Sequence, residues 1–220
     1  MKKNAPWLVP IFVMILIAPF TPWLDLWIAG RFYEMGAGTV EHFVSHFLFD
    51  FMYVWALLPG QLLLVGSVLA LFCSYFFAFA ANWQKPALVL VLTYAIGAGL
   101  VSHAILKDHW GRPRPKQIEQ FGGTQEFRPF WSPYFTNPIE SKSFPCGHCT
   151  MGFSFFAIAL LGKRYKKQWI WYAGMAFALI LGCGLGVTRM AQGGHFLSDV
   201  LLSGLILWLS AWGFDRFVYD

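Results

Sequence analysis

Thr188–Asp199 reads TRMAQGGHFLSD and stands between two apolar runs, Trp169 to Val187 before it and His195 to about Trp212 after it. Each run comes close to the roughly 20 apolar residues that cross a hydrocarbon core, so the polar stretch is a connection at a membrane surface. Arg189 is followed after five residues by His195, and His195 after three by Asp199, while Gly193-Gly194 breaks the chain where the second run begins. A helix starting near His195 puts His195 and Asp199 one turn apart on one face. The aspartate then binds one ring nitrogen, fixes the tautomer and leaves the other nitrogen as a nucleophile or base. A capping carboxylate beside an incidental histidine fits the same residues, and the rest of the chain decides between the two.

Composition sets the class. Of 220 residues, 57% are hydrophobic, 19% aromatic and only 12% charged, and the mean hydropathy is +0.54, values outside the range of ordinary water-soluble domains. We expect an all-α integral membrane protein, one domain over residues 1–220, with six spans. The 16 Lys and Arg against 11 Asp and Glu imply no nucleic-acid partner here; in a bilayer they orient the chain and attract anionic headgroups.

In order, a first span runs from Trp7 to Trp23. It is read as retained rather than cleaved, because no small-x-small site follows it and Pro19, Pro22 and Asp25 occupy that place. Trp23, Leu24, Trp27, Ile28 and Phe32 recur at helical spacing against Asp25, Arg31 and Glu34, the pattern of a helix lying in the interface. A second interfacial segment precedes Pro59-Gly60, and the next spans run from about Gln61 to Ala80 and Ala87 to Leu106. The last three are Gly147 to Leu161, Trp169 to Val187 and His195 to Trp212. His103, one turn before Lys107, is read as a packed or supporting histidine. His42 and His46 are four apart without an evident third ligand, so no metal site and no cofactor is expected.

Residues 107–146 form the one long polar stretch, and a loop of that length inside a compact protein is usually functional. With the N-terminus inside, eight Lys and Arg fall on each side; those on the inner side crowd into short loops, where the positive-inside rule has force. Both termini are therefore placed in the cytoplasm. Whatever the orientation, no span separates Lys107 from His148 and two separate His148 from His195, so the three polar stretches share one face. Lys107, Arg114 and Arg189, with His148, His195 and Asp199, then meet at the membrane surface. Cations and a helix N-terminus suit a tetrahedral phosphate, and two histidines supply a nucleophile and an acid for the leaving group.

In order, spacing and residue type, these stretches resemble the signature of the type 2 phosphatidic acid phosphatase family: Lys-x6-Arg-Pro, Pro-Ser-Gly-His, Ser-Arg-x5-His-x3-Asp. The resemblance implies that His195 takes the phosphoryl group, that Asp199 orients it and that His148 protonates the leaving oxygen. It also implies that Lys107, Arg114 and Arg189 hold the phosphoryl oxygens with the backbone of Gly147. Cys146 stands where the family has Ser, and Thr188 where it has a second Ser. Both Cys146 and Cys149 are expected as free thiols, Cys146 contributing its backbone N–H to phosphate. The membrane branch implies six spans and a site on the outer face of the bacterial inner membrane, here the periplasmic side. Its substrates include lipid A, undecaprenyl diphosphate, phosphatidylglycerophosphate and phosphatidic acid. Gly111-Arg112-Pro113-Arg114-Pro115 followed by Phe121-Gly122-Gly123 looks like the bacterial lipid A phosphatases, and Arg112, Lys116 and Arg128 are candidates for binding an anionic headgroup. The expected partners are a membrane lipid phosphate and the bilayer. The rival classes are an anionic lipid carrier, which needs no His148 with a His195/Asp199 pair, and a thiol-redox protein built on Cys146-Gly147-His148-Cys149.

Overall fold

A computed structural model describes residues 8–36, 43–135 and 141–220. It is built from helices; among the described residues there is no strand, only an isolated bridge between Ile118 and Gln125. Five helices have the length and apolarity to cross a membrane: α1 (Leu8–Met35), α2 (Phe47–Phe76), α3 (Ala78–Lys107), α6 (Gln168–Ala191) and α7 (Leu197–Tyr219). Between α3 and α6 lie α4 (Gly147–Phe153) and α5 (Phe156–Arg164). The expected class, an all-α membrane protein, is the class observed.

The first helix corrects the expected path. Residues 23–34 do not lie apart as an interfacial helix; they continue the first span, so that α1 runs 28 residues. Pro19 and Pro22 fall in the first turns of a 3-10 turn (Ala18–Phe20) and of the helix after it, where a missing N–H costs nothing, and the Thr21 hydroxyl donates to the Ala18 carbonyl at 2.8 Å. Its buried residues, Met14, Thr21, Asp25 and Ala29, make one stripe at helical spacing. Residues 47–76 are interrupted about where Pro59-Gly60 suggests: one helical segment ends at Trp55 and the next starts at Leu58 with Pro59 in its first turn, and the Gln61 N–H reaching the Leu57 carbonyl at 3.0 Å carries the apolar length across the break.

The expected fourth span is two short helices. Ser154 ends α4, its hydroxyl bonded to the Tyr94 hydroxyl at 2.5 Å and the Met151 carbonyl at 2.6 Å. Nearly every face of α4 and α5 is buried, and their Cys149, Phe153, Phe156, Ala157 and Leu160 form the core with Val89, Leu185, Val200, Leu207 and Trp208. Helices in lipid gain little from hydrophobic burial and associate through close packing. Glycines supply it here: Gly152 lies against the backbone at Gly182, and a methyl on Gly182 would overlap the Phe153 ring. This packing fixes the N-terminus of α4 beside those of α7 and the loop leaving α3.

Candidate active site

The last helix begins later than the spacing predicts. Phe196 is extended and caps α7, so His195 stands just outside the helix rather than in its first turn. Asp199 caps the helix and also lies beside His195. Its Oδ2 accepts from the Phe196 N–H at 2.8 Å, as a capping carboxylate does, and lies 3.6 Å from Nδ1 of His195. That separation is longer than a hydrogen bond, and Nδ1 has no hydrogen-bond partner among the described residues. The ring is 1% exposed, and burial pushes its pKa down to about 4 against the opposing pull of Asp199. His195 is therefore neutral at physiological pH, with Nε2 the nitrogen turned away from Asp199.

Arg112 corrects the sequence expectation. It is fully buried, out of reach of a headgroup. Its Nη1 donates to Asp199 Oδ1 at 2.5 Å and to the Ser198 hydroxyl at 2.8 Å, Nη2 to Asp25 Oδ2 at 2.8 Å and Nε to the Arg128 carbonyl at 2.9 Å. The Phe196 ring lies 4.4 Å from the guanidinium carbon. Asp25 on α1 accepts in turn from the backbone and hydroxyl of Ser198, at 2.9 and 2.6 Å. The Ser143 hydroxyl completes the set by donating to Asp199 Oδ2 at 2.6 Å.

Residues 143–149 are tied to the same place. The Ser143 N–H donates to the Arg112 carbonyl at 2.9 Å, the Cys146 N–H to the Asp199 carbonyl at 3.3 Å, and the Ser203 hydroxyl to the Cys146 carbonyl at 3.1 Å. Two expectations for Cys146 are overturned: its N–H is taken and cannot serve phosphate, and its sulfur is bonded to Cys149. An extended Cys146 ahead of the first turn sets the two Cα atoms 5.4 Å apart, within the span a disulfide bridges. The free thiols are those of Cys73 and Cys183. Gly147 must be glycine, since a Cβ there would come within 2.7 Å of His103 Nε2 and 3.4 Å of Lys107 Nζ. His103 thus packs against the loop, as a supporting residue. His148 is half-buried and stacks on Tyr53 of α2, ring centres 4.6 Å apart. On Tyr53 also rests the Arg189 guanidinium, 4.9 Å from the ring centre.

The cations gather around this loop. Lys107 is within electrostatic reach of Arg114, Arg189 and Asp199, and His148 within reach of Arg189, His195 and Lys107. Arg189 packs on Gly194 and donates to Gln192 Oε1 at 2.7 Å; Gln192 in turn reaches Asp50 at 3.1 Å. A cavity of about 750 Å³ opens here, lined by Asp50, Tyr53, Arg114, Lys116, Arg189 and Gly194 among others. Lys116 thus shares this cavity with Arg114 and Arg189. Arg128 does not line that cavity; its guanidinium rests on the Tyr134 ring at 4.3 Å. Among the described residues no group of three His, Cys, Asp or Glu could hold a metal. His46 caps α2, its Nδ1 accepting from the Leu48 N–H at 3.2 Å, and His42 lies outside the described residues.

A model of the PAP2 superfamily matches residues 86–220, more than half of the chain. The chain belongs to the PAP2 superfamily. It is 36% identical over 200 residues to a lipid A 4'-phosphatase of Francisella tularensis subsp. novicida, covering 87% of this chain and 84% of that one. It is 31% identical over 133 residues to a lipid A 4'-phosphatase of Rhizobium leguminosarum, covering 60% and 53%. It is 35% identical over 112 residues to a lipid A 1-phosphatase of Rhizobium etli, covering 50% and 41%. No solved structure matches. PAP2 membership and these relatives support an enzyme of the phosphoric monoester hydrolase class. Asp25, Asp50 and Tyr53 lie before the PAP2 match, on helices whose polar residues the sequence analysis assigned to the interface. The signal for Asp25 was present: an ionisable residue in an apolar helix generally faces a buried partner.

Proposed function

We propose that this chain removes a phosphate from lipid A or its precursor, at the outer face of a bacterial inner membrane, through a phosphohistidine on His195. Counting α4–α5 as a crossing gives six, so both termini share one side; the cations crowded into the short loops favour the cytoplasm for that side, and the site would then face the periplasm. The single observation that carries the reading is His195, neutral and beside Asp199, within electrostatic reach of Lys107 and Arg189, which in turn neighbour Arg114, with His148 alongside. The relative matched over most of this chain is named for the 4'-phosphate, and the 4' position is the one proposed.

The lone pair on His195 Nε2 attacks phosphorus while the bond to the sugar oxygen breaks; His148, which burial and the neighbouring Arg189 hold neutral before substrate binds, takes up a proton when the dianionic phosphate offsets those cations, and gives it to that oxygen. Charge builds on the equatorial oxygens, where the three cations and the start of α4 stabilise it. Asp199 stabilises the imidazolium character that develops at Nδ1. Water, deprotonated by the now neutral His148, then attacks phosphorus, breaking the N–P bond and releasing inorganic phosphate.

The test is to present purified protein, in one detergent, with lipid A, undecaprenyl diphosphate, phosphatidylglycerophosphate and phosphatidic acid, and to locate the missing phosphate by mass spectrometry. Lipid A losing its 4'-phosphate fastest is the expected result. A wide preference for phosphatidic acid would contradict it.

A further inference from the structure

We infer that Asp25 and Arg112 are positioning residues for the reaction, acting through Asp199 to aim His195. This rests on the phosphohistidine reading of the site. Arg112 is the hub of a fully enclosed set that draws on four parts of the chain: Asp25 of α1, Arg128 of the long loop, Ser143 before α4, and Ser198 and Asp199 of α7. Asp199 has no freedom left in it. Arg112 takes Oδ1, Ser143 and the Phe196 N–H take Oδ2, and the plane so fixed points Oδ2 at His195 Nδ1.

Arg112 is itself fixed by Asp25. Without the Asp25 carboxylate, Nη2 loses its acceptor, and the Ser198 backbone and hydroxyl, next to Asp199 in the chain, lose theirs. Taking one guanidinium and two carboxylates out of water costs more than well-packed apolar residues would, so ion pairs of this kind are weak contributors to stability. What they supply is geometry, and a small misplacement of a nucleophile is costly in rate. Asp25 lies outside residues 86–220, the stretch the PAP2 model matches. The first helix thus supplies a support for the nucleophile that the matched region lacks.

The experiment measures kcat, KM and the rate of phosphohistidine formation on lipid A for the wild type, Asp25→Asn, Arg112→Lys and Ser198→Ala, with thermal melting in detergent as the check on folding. The two charge-network variants should lose on the order of tenfold or more in kcat and in phosphohistidine formation together, with KM held within about twofold. Ser198→Ala, which leaves both charges paired, should fold and lose a few-fold in the same two rates; it carries the test if the others fail to fold. A raised KM with kcat unchanged would make Arg112 a headgroup ligand and overturn the inference. So would unchanged kcat per folded molecule beside a lowered Tm, the mark of a purely structural network. An active wild type with unaffected variants sinks this inference alone; a wild type that releases no phosphate sinks the phosphatase reading with it.

Discussion

His195 is neutral because it is buried, and two consequences can be measured. His195→Ala removes the nucleophile and should abolish phosphate release, by more than about 10³-fold, while the protein still inserts and melts normally. Because its folded pKa is depressed to about 4 from an ordinary 6.5, the unfolded ring takes up a proton that the folded ring refuses as pH falls between those values. Stability is therefore lost on acidification through that window. His195→Gln should flatten the fall of Tm from pH 6.5 to 4 relative to wild type, and an unchanged slope would show that the ring is not held neutral. Cys146 and Cys149 make a separate prediction. Under denaturing, non-reducing conditions two thiols, those of Cys73 and Cys183, should react with maleimide, and four after reduction; four before reduction would contradict the bond.

The elements were legible in part, and the boundary between what was read and what was missed has a physical cause. Apolar length and the Arg189/His195/Asp199 spacing were enough to find α6, α7 and the connection between them, since both signals are local. The course of α1 was misread because Pro19, Pro22 and Asp25 look like breaks. The prolines sit in first turns, and Asp25 finds a partner 87 residues along the chain in Arg112. No local pattern reports such a pairing, and it also turned Arg112 from an apparent headgroup ligand into a buried support. Gly147 was singled out for its backbone N–H; the structure adds a steric reason for glycine there that can be tested. Gly147→Ala drives a methyl into the His103 ring, so activity should drop by an order of magnitude or more with little change in expression. Gly182→Val should act oppositely, because it wedges α4 from α6 at Phe153; overpacking of about 1–3 kcal/mol should show as a lower Tm before any defect specific to catalysis.

Across the whole molecule, helices of lipid-facing length surround a core in which two short helices hold the start of α4 beside the start of α7, and the loop after α3 closes over both. A cysteine placed at exposed Glu126 of that loop should label with an impermeant maleimide from the periplasmic side, while one placed at Lys167 in the α5–α6 connection should not. The most direct single measurement is to quench the enzyme during turnover of a phosphate-labelled lipid A and map the protein-bound label by mass spectrometry. Label on His195 of the wild type, increased in His148→Ala and absent from His195→Ala, is the predicted result. Phosphate release that continues in His195→Ala, or label on any other residue, would contradict it.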